Sequence, residues 1–292
     1  MSYQTIEQAL TEALSAHDVT GVTIQADGQI HRFDAPDKKR GNKAGWYICP
    51  TGDIAVFGFW HTGHKASVSI NRENDPRAAK IARKAAERAR EERRRENQVK
   101  ADQASRKAWE IWQHARKPAK RHPYLASKGI SPNRARQHGP ALVLDIRGFD
   151  RQIYSLQFIQ PDGTKTLLSN GIKKGNFILV GGPGEPSQVL ICEGWATGCT
   201  LLESCPHALV LAAIDAGNLR PVAMGAREKW PDAELVVCGD DDRMTRGNPG
   251  VSKARKAAIA AGAQVAFPQW PSDAPGNLTD FNDLALWLRR AA

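Results

Sequence analysis

Carboxylate side chains follow short apolar runs at two points of this 292-residue sequence. Glu193 follows a Val-Leu-Ile-Cys run, and the triplet Asp240-Asp241-Asp242 follows Leu-Val-Val-Cys and one glycine. Three consecutive aspartates repel one another, and a hard cation such as Mg²⁺, which prefers carboxylate oxygens and water, removes that repulsion. We therefore predict a metal site built from Glu193, Asp240, Asp241 and Asp242.

The elements that must position these carboxylates follow one another in an alternating pattern. From residue 188 to residue 290, short apolar strands alternate with helical segments, which is typical of an open, mostly parallel sheet covered by helices. Ligands of such sheets bind beyond the carboxyl ends of the strands, so we expect both acidic stretches at the same edge. The alternative is that the acids only cap the helices that follow them.

Basic residues are concentrated between residues 77 and 140, which contain 19 Lys or Arg and 6 Asp or Glu. Within this basic block, residues 76–117 have no glycine and no proline after the first position, and Ala, Arg, Glu and Lys dominate, which predicts a long helix. Its middle, from Arg83 to Lys100, has almost no apolar stripe, so we expect much of it to be solvated. The charge favours a polyanionic partner, and a solvated helix face is the alternative.

The first 75 residues predict a small α+β module. A capping box at Thr5 and Gln8 begins a helix, and turn signals at residues 27–28 and 51–53 predict two β-hairpins. Between residues 118 and 186, four further strand candidates predict a mixed, β-rich subdomain. We divide the chain into the small module 1–75, a long basic helical linker at 76–117 and a third segment at 118–292, whose parallel sheet occupies residues 186–292.

The five cysteines include no Cys-x-x-Cys pair, which predicts reduced thiols in a cytoplasmic protein. Cys49, His61 and His64, with His31 as a further candidate, would form an irregular zinc site, but their spacing fits no zinc ribbon, so we do not expect zinc. No apolar run reaches the roughly 18 residues of a membrane span, so no membrane partner is expected.

The carboxylate pattern resembles the Toprim module of primases, topoisomerases and nucleases. That module has a glutamate after one strand and Asp-x-Asp after a later strand, which Glu193, Asp240 and Asp242 match. Three more segments resemble the phage and plasmid branch of Toprim DNA primases: 122–125 (His-Pro-Tyr-Leu), 171–177 (Gly-Ile-Lys-Lys-Gly-Asn-Phe) and 280–283 (Asp-Phe-Asn-Asp).

The resemblance implies a primase that makes short RNA primers on single-stranded DNA for phage or plasmid replication. Residues 118–292 would be the catalytic core and 186–292 its Toprim domain. Asp240 and Asp242 would bind one or two Mg²⁺ or Mn²⁺ ions, and Glu193 is either a ligand or the general base. The substrates would be ribonucleoside triphosphates.

Candidate contacts with nucleotide or template are spread over both halves of the chain. Lys173 and Lys174, between glycines before the parallel sheet, either contact the triphosphate or the template or form a solvated turn. Arg243 either clamps a phosphate or pairs with Asp241. In the first module, which is the candidate for template binding, Trp46 and Trp60 either stack bases of the single strand or form the core. The basic helix, with Arg93, Arg94 and Arg95, would contact phosphates.

Two other functions remain open: a Toprim nuclease with the same carboxylates, and a non-catalytic protein that binds single-stranded DNA. The sequence contains no Walker motif Gly-x₄-Gly-Lys-[Ser/Thr], so we expect a separate replicative helicase as partner.

Overall fold

The computed structural model describes residues 5–70 and 76–291. These residues pack into two compact units that divide between Asn97 and Gln98. This division falls inside the segment 76–117 that we predicted as a linker. The functional division into a template module, a linker and a catalytic core therefore stays a prediction.

The first unit contains an antiparallel sheet, and helix α1 (Ile6–Ser15) packs against it. Its strands follow one another in chain order: β1 (Ile30–Phe33), β2 (Gly45–Thr51), β3 (Ile54–Phe59) and β4 (Lys65–Ser69). The predicted capping box begins α1, because the Thr5 hydroxyl accepts a hydrogen bond from the backbone N–H of Gln8. Ile6, Leu10 and Leu14 are buried against the sheet.

The predicted hairpin around residues 27–28 is wrong, because β1 pairs with β2 and not with residues 22–24. Tyr47 explains the difference. Its hydroxyl donates to the Thr23 carbonyl at 3.2 Å and accepts from the Gln25 N–H at 3.0 Å, so a side chain satisfies backbone groups that a strand partner would have paired. The hairpin between β2 and β3 is confirmed.

The long helix is confirmed as α2 (Pro76–His114). Its middle is less solvated than expected. Ala85, Ala86 and Ala89 are buried and pack with Trp46 and other residues of the first unit's sheet. An alanine face is too small to register as an apolar stripe, but it lets the helix backbone approach the sheet closely.

The second unit contains a nine-stranded mixed sheet, counted over the described residues. Its first strands are β5 (Arg136–His138), β6 (Ala141–Arg147), β7 (Ile153–Ile159), β8 (Lys165–Leu167) and β9 (Phe177–Gly181). The later strands are β10 (Gln188–Cys192), β11 (Leu209–Ala212), β12 (Glu234–Cys238) and β13 (Gln264–Ala266). The spatial order is β13-β12-β10-β11-β9-β6-β7-β8, with β5 beside β6.

Strands β13, β12, β10 and β11 are parallel, and β9 joins β11 in antiparallel orientation. The helices of this unit are α3 (Pro123–Lys128), α4 (Trp195–Ser204), α5 (Leu219–Lys229), α6 (Pro249–Ala261) and α7 (Phe281–Ala291). The predicted α/β class, with a mostly parallel sheet preceded by a mixed β-rich part, is confirmed.

Both faces of the parallel strands are buried, which explains their continuous apolar sequences. Along β10, Leu190 and Cys192 face the layer that contains α3 and α4, whereas Val189 and Ile191 face α5 and α6. This alternation follows from the two-residue period of a strand. With both faces covered by helices, the ends of the strands are the places where polar side chains can gather.

Candidate active site

The two acidic stretches lie at the same edge of the sheet. β10 and β12 are neighbouring parallel strands, with Cys192 directly opposite Cys238. Glu193 follows Cys192, and Asp240 follows Cys238 after one glycine. The carboxyl ends of two paired strands therefore bring Glu193 and Asp240 together, as the sequence predicts.

Asp240 carries the least satisfied carboxylate of the group. Its Oδ1 atom is buried and has no hydrogen-bond partner among the described residues. Burial, together with the negative charges of Glu193, Asp280 and Asp242 in that order, raises the pKa of Asp240 to about 8. A buried oxygen without a donor, surrounded by other acids, is an environment that a cation would stabilise.

Glu193 lies between the ends of two strands. Burial raises its pKa, while a hydrogen bond from the backbone N–H of Ala216 lowers it, and Asp215 and Asp242 raise it again. Its backbone carbonyl also accepts from the N–H of Ile214 at 2.8 Å. The glutamate is thus fixed against the segment that follows β11, and it does not cap α4, whose N-cap is Gly194 without a side-chain hydrogen bond.

Asp241 and Asp242 have different surroundings, although the sequence predicts both as parts of the metal site. Asp241 accepts from Asn248 Nδ2 at 2.7 Å through Oδ1 and from Trp270 Nε1 at 3.0 Å through Oδ2. Asp242 accepts from the Gly250 N–H at 2.9 Å through Oδ2, near the beginning of α6. Both oxygens of Asp241 are therefore engaged in the fold. Its role as a ligand stays a prediction that these contacts do not favour.

Arg243 forms contacts with other residues of the acidic edge and of the segment before α7. Its Nη2 donates to the Pro275 carbonyl at 2.8 Å, its guanidinium lies 4.6 Å from the ring centre of Trp270, and its Nε is 3.9 Å from Asp241 Oδ2. These contacts favour the alternative in which Arg243 pairs with Asp241 and fixes the acidic loop.

Lys173 is fixed beside the carboxylate edge, whereas Lys174 is exposed. Lys173 forms an ion pair with Asp215, a residue that follows β11. Asn218 holds the same turn: its side chain donates to the carbonyls of Lys173 and Asn176 and accepts from the Gly175 N–H. The predicted Lys173-Lys174 loop therefore lies at the same edge as Glu193.

Sequence reasoning missed three charged residues near the site carboxylates. Asp280 accepts from Thr197 Oγ1 at 3.1 Å and adds negative charge at Asp240. Asp215 adds negative charge at Glu193. Lys165 is exposed as a residue, but desolvation of its ammonium group and the charge of Lys128 lower its pKa, whereas Asp280 and the site carboxylates raise it. Asp215 follows a strand, as the other acids do, and that position was the available signal.

The segments 122–125 and 280–283 meet near α4. Tyr124 stacks on Trp195, with 6.5 Å between the ring centres. Asn282 donates to the Lys128 carbonyl at 2.8 Å and to Thr200 Oγ1 at 2.9 Å. Both segments thus support the helix that begins directly after Glu193-Gly194.

Residues 188–287 match the family model of the Toprim domain. The chain carries a Toprim domain. The resemblance predicted from the carboxylate pattern is therefore confirmed, and the matched range includes Glu193 and the triplet at 240–242.

Two curated relatives extend the similarity beyond the Toprim domain. Both are proteins named DNA primase TraC from Escherichia coli. One is 34% identical over 262 residues, which is 83% of this chain, and the other is 31% identical over 314 aligned positions, which is 94% of this chain. The chain spans only 24% and 21% of the length of these relatives.

Among solved structures, the chain is similar to the primase fragment of the bacteriophage T7 primase-helicase protein. The identity is 15%, the TM-score is 0.43, and the overlap covers 61% of this chain and 76% of that one. Since the TM-score is below 0.5, this overlap assigns no role to any residue.

Outside the Toprim domain, the first unit holds the other predicted DNA contacts. Trp46 is 3% exposed and stacks on Trp60, with 5.2 Å between the ring centres, so Trp46 belongs to the core and offers no face to a base. Arg93 lies over the partly exposed Trp60 at 4.8 Å. Arg94 and Arg95 are exposed.

The residues considered for zinc are spread over the first unit. Cys49 is buried in the core, and burial raises the pKa of its thiol to about 11. His31 contacts Asp27 at 2.8 Å, His61 contacts Asp37 at 2.7 Å, and the His64 ring lies beside His17. Over residues 5–70 and 76–291, no group of three or more His, Cys, Asp or Glu side chains converges on a ready metal position.

None of the described helices is long and apolar enough to cross a bilayer.

Proposed function

We propose that this chain is a DNA primase that makes short RNA primers on single-stranded DNA by metal-dependent nucleotidyl transfer, in plasmid or phage replication. The observation that carries the proposal is the position of Glu193 and Asp240 on paired parallel strands, with a buried oxygen of Asp240 left without a partner. The similarity to two proteins named DNA primase supports the choice of reaction.

Mg²⁺ or Mn²⁺ fits the chemistry of this edge. Mg²⁺ is usually held by one or two carboxylates, and waters and substrate phosphates fill the other coordination positions. A site in which the protein supplies every ligand is therefore not required. Asp240 and Asp242 would hold the ion or ions, and Glu193 would act as a further ligand or as the general base for the attacking hydroxyl. When bound, the metal neutralises charge on the phosphate that is transferred and activates the hydroxyl.

The remaining residues position the substrates in this proposal. Lys165 and Lys173 lie beside the carboxylates and would bind phosphate oxygens of a ribonucleoside triphosphate or of the template. Arg243 would act indirectly, by fixing the loop that carries Asp242. The partner that we propose for opening the duplex is a separate replicative helicase.

The Toprim nuclease uses the same carboxylates, so one assay must separate synthesis from cleavage. The chain is incubated with end-labelled single-stranded DNA, labelled ribonucleoside triphosphates and Mg²⁺ or Mn²⁺, and the products are separated by size. We expect new alkali-sensitive products and an intact template. A shortened template without new products would favour the nuclease, and an unchanged mixture would contradict a catalytic role for this chain.

A further inference from the structure

A cavity of about 330 Å³ lies on the α5 face of the sheet, away from the carboxylates. Leu179 of β9 and Leu211 of β11 line it, and neither Glu193, Asp240 nor Asp242 does. α5 packs against β10 and β12, and the cavity lies beside it over β9 and β11. This volume lies at the lower end of the range for small-molecule sites.

The lining of the cavity extends along the strands. Residues 182–185 lead into β10, and Lys229 and Trp230 lead from α5 toward β12, so these lining residues lie at the amino ends of the strands. Phe177, in contrast, begins the antiparallel strand β9 and lies beside the carboxyl end of β11. Since none of the acids proposed to hold metal lines the cavity, the cavity is not part of the metal site.

Aromatic rings form one wall of the cavity. Phe149 lies 4.7 Å from Phe177 and 5.9 Å from Trp230 between ring centres. Phe149 and Trp230 are partly exposed. Rings with an accessible face or edge bind the flat surface of a nucleobase without reading its identity.

Positive charge surrounds these rings. Four basic residues and one acidic residue, Glu185, line the cavity. Arg147 is neutralised by the buried Asp145. Arg134, Arg151 and Lys229 are exposed, and none of them has an ion-pair partner within the described part of the chain. Guanidinium and ammonium groups without an internal partner are suited to phosphate oxygens.

We propose that this cavity is a second nucleotide site, which stacks a base on the ring of Phe149 or of Trp230 and binds phosphate with Arg134, Arg151 and Lys229. The occupant is a single nucleotide unit, either free or part of a single strand. The site goes beyond the proposed primase activity and does not depend on it, because no carboxylate of the Toprim edge contributes to it.

Binding is measured with the whole chain in EDTA, so that metal-dependent binding at the carboxylate edge is absent. The probe is ATP with a fluorescent group on the ribose. Arg151→Glu and Lys229→Glu should each weaken binding at least about tenfold, because a favourable charge contact becomes a repulsive one. Lys256→Glu, an exposed charge reversal on α6 outside the cavity, should change it less than about twofold. Melting curves verify that the variants are folded.

The proposal is overturned if the probe does not bind, or if Lys256→Glu weakens binding as much as the cavity variants do. It is also overturned if Asp240→Asn abolishes binding, since the nucleotide would then occupy the carboxylate edge. Competition identifies the source of the nucleotide: displacement of the probe by unlabelled oligodeoxythymidylate indicates a strand, and its retention indicates a free nucleotide. Either result supports the site.

Discussion

Asp240 and Asp241 are neighbours in the chain, yet their carboxylates have opposite surroundings. Asp240 has a buried oxygen without a partner, whereas Asp241 is bonded to Asn248 and Trp270. The sequence could not separate them, because three consecutive aspartates look alike until the backbone fixes their directions. The approximate position of the site followed from the apolar runs before the acids, but the roles within the triplet depend on tertiary contacts.

We predict that Asp240→Asn lowers primer synthesis by at least about 100-fold while the affinity for single-stranded DNA changes only a few-fold, because the carboxylate would hold metal and not phosphate. The matched control is Asp241→Asn. It should mainly lower the free energy of unfolding, by about 1–3 kcal/mol, since its hydrogen bonds support the acidic loop. Primer assays and urea melts measure both. Normal synthesis by Asp240→Asn would exclude the proposed metal site.

Glu193→Gln should lower the rate of primer synthesis by at least about 100-fold, the lower range for a general acid–base group. Titration with Mn²⁺ separates the two roles left open for Glu193. Partial rescue by excess Mn²⁺ indicates a ligand, and an unrescued loss with unchanged metal dependence indicates the base. Wild-type activity at low Mg²⁺ would mean that Glu193 takes no part in the reaction.

At the scale of secondary-structure elements, most of the second unit was predictable from the sequence. Strands β10 and β12 and helix α5 lie in the region 188–290, where the sequence predicts alternating strands and helices, because continuous apolar runs between glycine or proline signals leave few alternatives. In the first unit, β4 was missed because polar and apolar residues alternate only weakly in Lys65–Ser69. Among the described residues, β3 is the strand with which it pairs. The hairpin at residues 27–28 failed because a distant side chain, Tyr47, satisfied the backbone.

The turn that carries Lys173 depends on one side chain. Asn218 bonds to three backbone groups of residues 173–176 and to the Ala213 carbonyl, and it is 2% exposed. Asn218→Ala leaves these groups unpaired, so we expect about 2–4 kcal/mol lower stability and a higher KM for ribonucleoside triphosphates. Lys174→Ala, at the exposed neighbour, is the control for stability. An unchanged KM in Asn218→Ala would mean that Lys173 takes no part in substrate binding.

A charged side chain introduced on the alanine face of α2 should destabilise the first unit. Ala89 is 1% exposed and packs with Trp46, so Ala89→Asp buries an unpaired carboxylate and should lower the free energy of unfolding by about 3 kcal/mol. Val99→Asp is the matched control, because Val99 is 54% exposed on the same helix and should lose less than about 1 kcal/mol. Urea melts followed by tryptophan fluorescence compare the two. Equal losses would mean that Ala89 is not packed in solution.

At the scale of the whole molecule, the basic block gives a prediction that does not depend on catalysis. Arg94 and Arg95 are exposed, whereas Arg93 lies over Trp60. Each phosphate contact on single strands adds a slope of about −0.7 to log K against log salt, so changing Arg94 and Arg95 to Ala should flatten that slope by up to about 1.4. Binding of oligodeoxythymidylate at several salt concentrations measures it. An unchanged slope would make these arginines a solvated face without DNA contacts.

The antiparallel pairing of β9 with β11 has a consequence for how this molecule can be divided. A polypeptide that began at residue 186 would keep β10 to β13 but lose β9, and β11 would become an open border with a row of unpaired backbone groups. The apolar side chains Ile178 and Val180, which lie in the same core as α4, would be removed with it. Such a border recruits other strands and leads to aggregation. The recognisable Toprim sequence is therefore shorter than the smallest piece that could remain monomeric.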